Sequence, residues 1–103
     1  MRKLAILIFL LSVPASAKQH RVSLTWTAST GCPATCTIAG YYVYKAKGSA
    51  PFAKANPSLL TTLYWTDKNV YAGQVIHYVV TAVSSAGVES PYSNQEVAKI
   101  PWR

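Results

Sequence analysis

Acidic side chains are scarce in this sequence. Ten Lys or Arg residues stand against three Asp or Glu residues in 103, which gives a formal net charge of +7 at pH 7. The three carboxylates, Asp67, Glu89 and Glu96, are well separated in the chain, whereas acid–base catalysis by carboxylates needs two of them within reach of one substrate. The sequence also contains no G-x-S-x-G or H-E-x-x-H motif. We therefore expect a protein that is not an enzyme and that uses no cofactor.

Clustered basic residues are also missing. The ten Lys and Arg residues are scattered, and nowhere do three of them follow one another. Proteins that bind nucleic acids carry a basic patch or stripe or a recognisable module. Neither is visible here, so we expect no nucleic-acid partner, whereas an anionic polymer outside the cell is compatible with the net charge.

The sequence lacks an apolar run long enough to span a bilayer. The longest, Leu4 to Val13, would rise about 15 Å as a helix, which is half the thickness of the hydrocarbon core. Two basic residues precede it, and Pro14 and a small-x-small motif follow, which is the organisation of a secretory signal peptide. We predict a signal peptide over residues 1–17 with cleavage after Ala17, and one domain over residues 18–103. The cleaved chain would have no membrane span and would be secreted or periplasmic.

Helical periodicity is absent as well. No stretch of eleven or more residues keeps the spacing of an amphipathic helix, whereas short runs rich in Val, Ile, Thr and Tyr recur between clusters of Gly, Pro, Asn and Ser. This pattern is typical of an all-β sandwich or barrel. The predicted strands are RVSLTWT, TIAGYYVYKA, LLTTLYWTD, VIHYVVTAVSS and QEVAKI. The third of these is expected to end near Asp67, in a turn.

Four of these segments resemble the fibronectin type III domain, in the form found on secreted bacterial proteins. VSLTWTAS, IAGYYVYKA, YWTDKNVYAGQ and HYVVTAVSSAGVESPYSN are similar to its strands B, C, E to F and F to G, in order and in spacing. The resemblance implies an immunoglobulin-like antiparallel β-sandwich. It also implies that the core contains Trp26, Tyr41, Val43, Val80 and Ala82.

The sequence departs from this family at two points. The tyrosine that the family uses at the E to F corner falls at Ile76, so either Tyr78 replaces it or the corner bond is absent. After cleavage only residues 18–20 precede strand B, which is too few for a typical strand. Strand A is therefore expected to be missing or very short, which leaves an unpaired edge. A homodimer or a partner's strand would complete that edge; alternatively, the domain tolerates the loss, or translation starts further upstream.

The two cysteines lie in the short stretch GCPATC. Cys32 and Cys36 fall in the predicted B to C loop of an exported domain, and disulfides persist outside the cytoplasm. A redox pair favours C-x-x-C at a helix N-terminus, and zinc needs two further ligands that His20 and His77 are not placed to supply. We expect a disulfide that closes this loop and no metal site.

A candidate binding face lies on the outer side of strand C. The pleat places Tyr42 and Tyr44 outside, next to Val79 and Thr81 on strand F, and Lys47 is assigned to the end of the same face. Tyrosine is enriched at interfaces because it joins a large apolar ring to a polar tip. Cross-strand pairing that merely stabilises the sheet is the other interpretation.

The function that this sequence favours is protein binding by a non-catalytic secreted module. Its partner would be an extracytoplasmic protein of unknown identity. The alternatives are a carbohydrate-binding module, in which Tyr42 and Tyr44 form a platform for a polysaccharide, and a structural spacer. A sugar platform requires the two rings to be coplanar and exposed to solvent.

Overall fold

The computed structural model describes residues 9–14, 19–29 and 36–102, and every regular element in them is a β-strand. Within these ranges no helix is long and apolar enough to cross a membrane. The strands are β1 (Phe9–Pro14), β2 (Gln19–Thr25), β3 (Ile38–Lys47), β4 (Ala53–Lys54), β5 (Tyr64–Tyr71), β6 (Val75–Ser84) and β7 (Glu96–Lys99).

The strands form two antiparallel sheets. One has the order β1-β2-β5 and the other the order β4-β3-β6-β7. The two sheets pack face to face, because alternate residues of their strands are apolar and need a common interior. The β-sandwich expected from the sequence is confirmed.

The core lies between the inner faces of the two sheets. The five core residues that the resemblance implied are all buried, and the rings of Trp26 and Tyr41 meet with their centroids 5.7 Å apart. The prediction of the core is therefore confirmed. Its full membership among the described residues is Val22, Leu24, Trp26, Tyr41, Val43, Val70, Ile76, Tyr78, Val80, Ala82, Ala98 and Ile100.

The first strand comes from the segment predicted to be a signal peptide. β1 pairs with β2 over six residues, from Phe9 opposite Thr25 to Pro14 opposite His20. In the uncleaved chain the position of strand A is therefore filled, which the sequence did not predict. The physical reason is that a short apolar run suits an exported leader and a β-strand equally well. Cleavage after Ala17 stays a prediction.

The predicted end of a strand near Asp67 is wrong. β5 continues to Tyr71, and Asp67 is only 1% exposed. Its Oδ1 accepts a hydrogen bond from the Asn69 N–H at 3.0 Å, so it does bond to local backbone, but from within a strand rather than from a turn. The register with β2 shifts between His20 and Val22, and this irregularity explains why the sequence lacks strict alternation here.

Asp67 is the centre of a polar network that joins the two sheets. Lys45 Nζ lies 2.9 Å from Asp67 Oδ2, and the Tyr78 hydroxyl donates to the same oxygen at 2.7 Å. Burial, followed by this hydrogen bond, raises the pKa of the Tyr78 phenol. Tyr78 therefore does link β6 to β5, but its acceptor is a side-chain carboxylate rather than the backbone of the E to F corner.

Candidate functional site

The candidate binding face lies on the outer side of the four-stranded sheet. The sequence predicted that Tyr42 and Tyr44 lie next to Val79 and Thr81. In the register of β3 and β6, Tyr42 lies opposite Thr81 and Tyr44 opposite Val79. Lys47 lies opposite Ile76 and falls on the side of β3 that carries the inward-facing Tyr41 and Val43. Its assignment to the outer face is therefore wrong. The reason is the period of two, since residue 47 differs from 42 and 44 by an odd number of steps.

Two of the predicted face residues are covered. Thr81 and Val79 are only 1% and 2% exposed, although they point to the outer side of the sheet. Glu89 lies over them, because its Oε2 accepts hydrogen bonds from Thr81 Oγ1 at 2.7 Å and from the Tyr44 hydroxyl. A ligand would therefore meet the covering side chains first.

The connection from β6 to β7 positions this cover. β7 pairs with β6 only from Val75 to Tyr78, and further along β6 the serines of the connection take its place. Ser93 Oγ accepts from the Val80 N–H at 2.8 Å, and Ser90 Oγ accepts from the Ala82 N–H at 2.9 Å. Both serines also donate their own N–H groups back to β6, at 2.9 and 2.8 Å. The segment is thus held like a strand, with a defined position for each side chain between the serines.

Tyr92 lies between these two serines and completes a group of three rings. Its ring centroid is 5.3 Å from that of Tyr44 and 5.5 Å from that of Phe52, with interplanar angles of 52° and 56°. We call Tyr44, Phe52 and Tyr92 the aromatic cluster. Tilted contacts at these distances are favourable for aromatic pairs. Tyr92 remains 46% exposed, so the cluster presents a fixed aromatic edge to solvent.

The two tyrosines named from the sequence each pack against another side chain. Tyr44 packs at an angle against Tyr92, and the ammonium of Lys54 lies 3.8 Å from the centroid of the Tyr42 ring. Burial, followed by the hydrogen bond to Glu89, raises the pKa of the Tyr44 phenol, so it stays neutral. Both rings are half-buried and packed in this way, whereas the carbohydrate-binding interpretation requires rings exposed to solvent.

An open depression of about 220 Å³ adjoins Phe52. His77 and Gln95 form its polar side, where Gln95 Nε2 lies 2.7 Å from His77 Nδ1, and its remaining lining residues are Ala46, Gly48, Ser49 and Ala50. Among the residues that the structure describes, no three His, Cys, Asp or Glu side chains come together as metal ligands. The surface offers aromatic, apolar and amide contacts, which suits binding.

Phe52, Glu89 and Tyr92 were not included in the predicted face. Phe52 lies in a turn-rich stretch and the other two in the SSAGVESPYSN connection, where no periodicity indicates orientation. The one signal in the sequence is Tyr92 itself, an aromatic residue between polar turn formers. Serine side chains that replace strand pairing leave no pattern that could reveal the rest.

The predicted disulfide lies at the edge of what the structure describes. Cys32 is outside the described residues, and Cys36 is half-buried two residues before the start of β3. The bridge stays a prediction.

Comparisons with known proteins agree with the architecture. An Fn3-like protein from Clostridium thermocellum is 28% identical, with a TM-score of 0.67 over 95% of this chain and 94% of that chain. A titin module from human cardiac muscle is 25% identical, with a TM-score of 0.69 over 84% and 85% of the two chains. A pectate lyase from Erwinia chrysanthemi, in complex with tetragalacturonic acid, is 19% identical and matches 88% of this chain with 28% of its own (TM-score 0.63), which shows a shared fold alone. No protein-family model matches the sequence. The chain has a fibronectin type III-like fold.

Proposed function

We propose that this chain is an exported, non-catalytic module that binds another extracytoplasmic protein through the aromatic cluster. The observation that carries the proposal is the half-exposed ring of Tyr92 beside Phe52, which is held in place because the flanking serines, Ser90 and Ser93, accept hydrogen bonds from the backbone of β6. A rigid tyrosine loses little conformational entropy on binding, and residues of this type dominate the binding energy of protein interfaces.

Two further features support binding over catalysis. The Asp67 carboxylate pairs with Lys45 and accepts a hydrogen bond from Tyr78. The Glu89 carboxylate accepts hydrogen bonds from Tyr44 and Thr81. The open depression beside Phe52 would accept a side chain of the partner next to the exposed ring. Fibronectin type III-like folds usually serve as non-catalytic modules, which supports the proposal.

Site-specific crosslinking tests the proposal directly. A photoreactive phenylalanine in place of Tyr92 is illuminated in the cell envelope and culture fractions, and the crosslinked partner is identified by mass spectrometry. The partner is then purified, and its dissociation constant is measured for the wild type and for Tyr92→Ala. Truncation of an interface hot spot costs about 2 kcal/mol, so the affinity should fall roughly 30-fold.

The chain offers a matched control at Tyr64, which is 64% exposed on β5 in the other sheet. Tyr64→Ala should leave the affinity unchanged. Equal losses in the two variants would contradict a site at the aromatic cluster. Retention of a polysaccharide by the wild type but not by Tyr92→Ala would overturn protein binding in favour of sugar binding, and the absence of any crosslink would favour a structural spacer.

A further inference from the structure

The segment that covers the edge of β2 is the segment that export would remove. β1 spans Phe9–Pro14, and the predicted cleavage point follows at Ala17. The matched Clostridium thermocellum protein aligns with 95% of this chain, so the alignment extends into the first 17 residues. The uncleaved and the cleaved chain therefore differ by one edge strand.

Without β1, the smaller sheet consists of β2 and β5 alone. The Trp26 N–H donates to the Leu63 carbonyl at 3.0 Å, on the side of β5. Because successive residues of a strand direct their backbone groups to opposite sides, Ser23 and Thr25 direct theirs toward β1. Removal of β1 exposes these groups at the open edge of a two-stranded sheet, an arrangement that pairs readily with another strand.

We infer that in the cleaved chain the open edge of β2 pairs with β2 of a second copy, so that the two smaller sheets join in the order β5-β2-β2-β5. The inference rests on the export and cleavage in the proposed function. This contact lies on the smaller sheet, whereas the aromatic cluster lies on the four-stranded sheet. The partner at the edge of β2 is a second copy of this chain.

The sequence of β2 is compatible with pairing to itself. In the antiparallel register that uses all of Gln19–Thr25, the two-fold axis passes through Val22 and Arg21 lies opposite Ser23. Arg21 is the only charged residue of the strand, and in this register it does not face Arg21 of the second copy. Residues that face the core in one copy lie opposite residues that face the core in the other. Such a two-fold contact is the commonest way in which identical chains associate.

The oligomeric state of the exported protein is the test. The gene with its leader is expressed in an exporting bacterial host, intact mass confirms that the chain begins at Lys18, and analytical ultracentrifugation gives the molar mass. The expected result is a mass twice that of the chain, with the amides of Ser23 and Thr25 protected from hydrogen exchange. A monomer in which these amides exchange rapidly would overturn the inference.

Charge substitutions at one position identify the register. Ser23→Lys places a second cation opposite Arg21 twice per dimer and should raise the dimer dissociation constant about tenfold. Ser23→Glu places an anion there and should leave the constant unchanged or lower it. Both variants lose the same 3.3 Å contact to Thr66, so folding is affected alike. Thr61→Lys adds the same charge in an exposed loop and serves as the control.

Other occupants of the edge give distinct results. A copurifying peptide with the mass of residues 1–17 would show that the leader stays bound, and a stoichiometric foreign chain crosslinked to β2 would show a different partner. Either finding, or a chain that keeps its leader after export, overturns the homodimer. Tyr92→Ala should not change the molar mass, so failure here leaves the test of the aromatic cluster unaffected.

Discussion

The buried carboxylate of Asp67 supports the sharpest prediction about stability. The side chain is 2% exposed and accepts hydrogen bonds from Lys45 Nζ at 2.9 and 3.2 Å, from the Tyr78 hydroxyl at 2.7 Å and from the Asn69 N–H at 3.0 Å. Asp67→Asn keeps the volume but removes the charge, so Lys45 loses its counter-ion. Removal of one partner from a fully buried ion pair costs about 3–5 kcal/mol.

The expected cost is lower here because the side chain of Lys45 is 17% exposed and can turn toward water. We therefore expect Asp67→Asn to lower the free energy of unfolding by about 2–3 kcal/mol. A domain of this size has a total stability of about 5–15 kcal/mol, so the loss is a large share. With a urea m-value of about 1 kcal/mol/M, the midpoint should fall by about 2–3 M.

Urea unfolding followed by tryptophan fluorescence measures this shift, and a double-mutant cycle isolates the ion pair. Lys45→Met keeps the aliphatic stem and leaves the carboxylate with its other donors. The double variant should be more stable than the sum of the single losses predicts, by about 1–2 kcal/mol. Strictly additive losses, or a shift below about 0.5 kcal/mol for Asp67→Asn, would refute the assigned coupling.

Three further predictions concern single groups. Because the pKa of Tyr78 is raised above the ordinary value of 10.0, its phenol ionises first in the unfolded chain. The part of the stability that comes from Tyr78 should be constant below about pH 10 and be lost above it, so the urea midpoint should fall less steeply with rising pH in Tyr78→Phe than in the wild type. A Cβ at Gly40 would lie 2.5 Å from the Leu60 carbonyl oxygen, so Gly40→Ala should cost about 1–3 kcal/mol in the same assay, and an unchanged midpoint would contradict the close approach. Ser93→Ala leaves the Val80 N–H without its side-chain acceptor and should lower the free energy of unfolding by about 1 kcal/mol in the same urea assay. Ser93→Thr keeps the hydroxyl and should lower the free energy of unfolding by less.

The candidate site shows where inference from sequence ends. Alternation placed Tyr42 and Tyr44 on one face, next to Val79 and Thr81, because a period of two is a local property of a strand; the exact pairs come from the register of β3 and β6. It did not show that Thr81 and Val79 are covered, since the cover comes from Glu89 in a connection eight residues further along the chain. The exposed part of the face is instead formed by Tyr92 and Phe52, which turn-rich segments carry into contact.

The sequence by itself determined the class of fold, the order of most strands and the core. These follow from alternation and from β-branched and aromatic composition, which act over a few residues at a time. The tertiary structure alone decided the position of Asp67 within the network between the sheets, the aromatic cluster and the strand that fills the edge of β2. Each of these joins segments that are distant in sequence, and the energy that fixes them arises only when the two sheets and their connections meet.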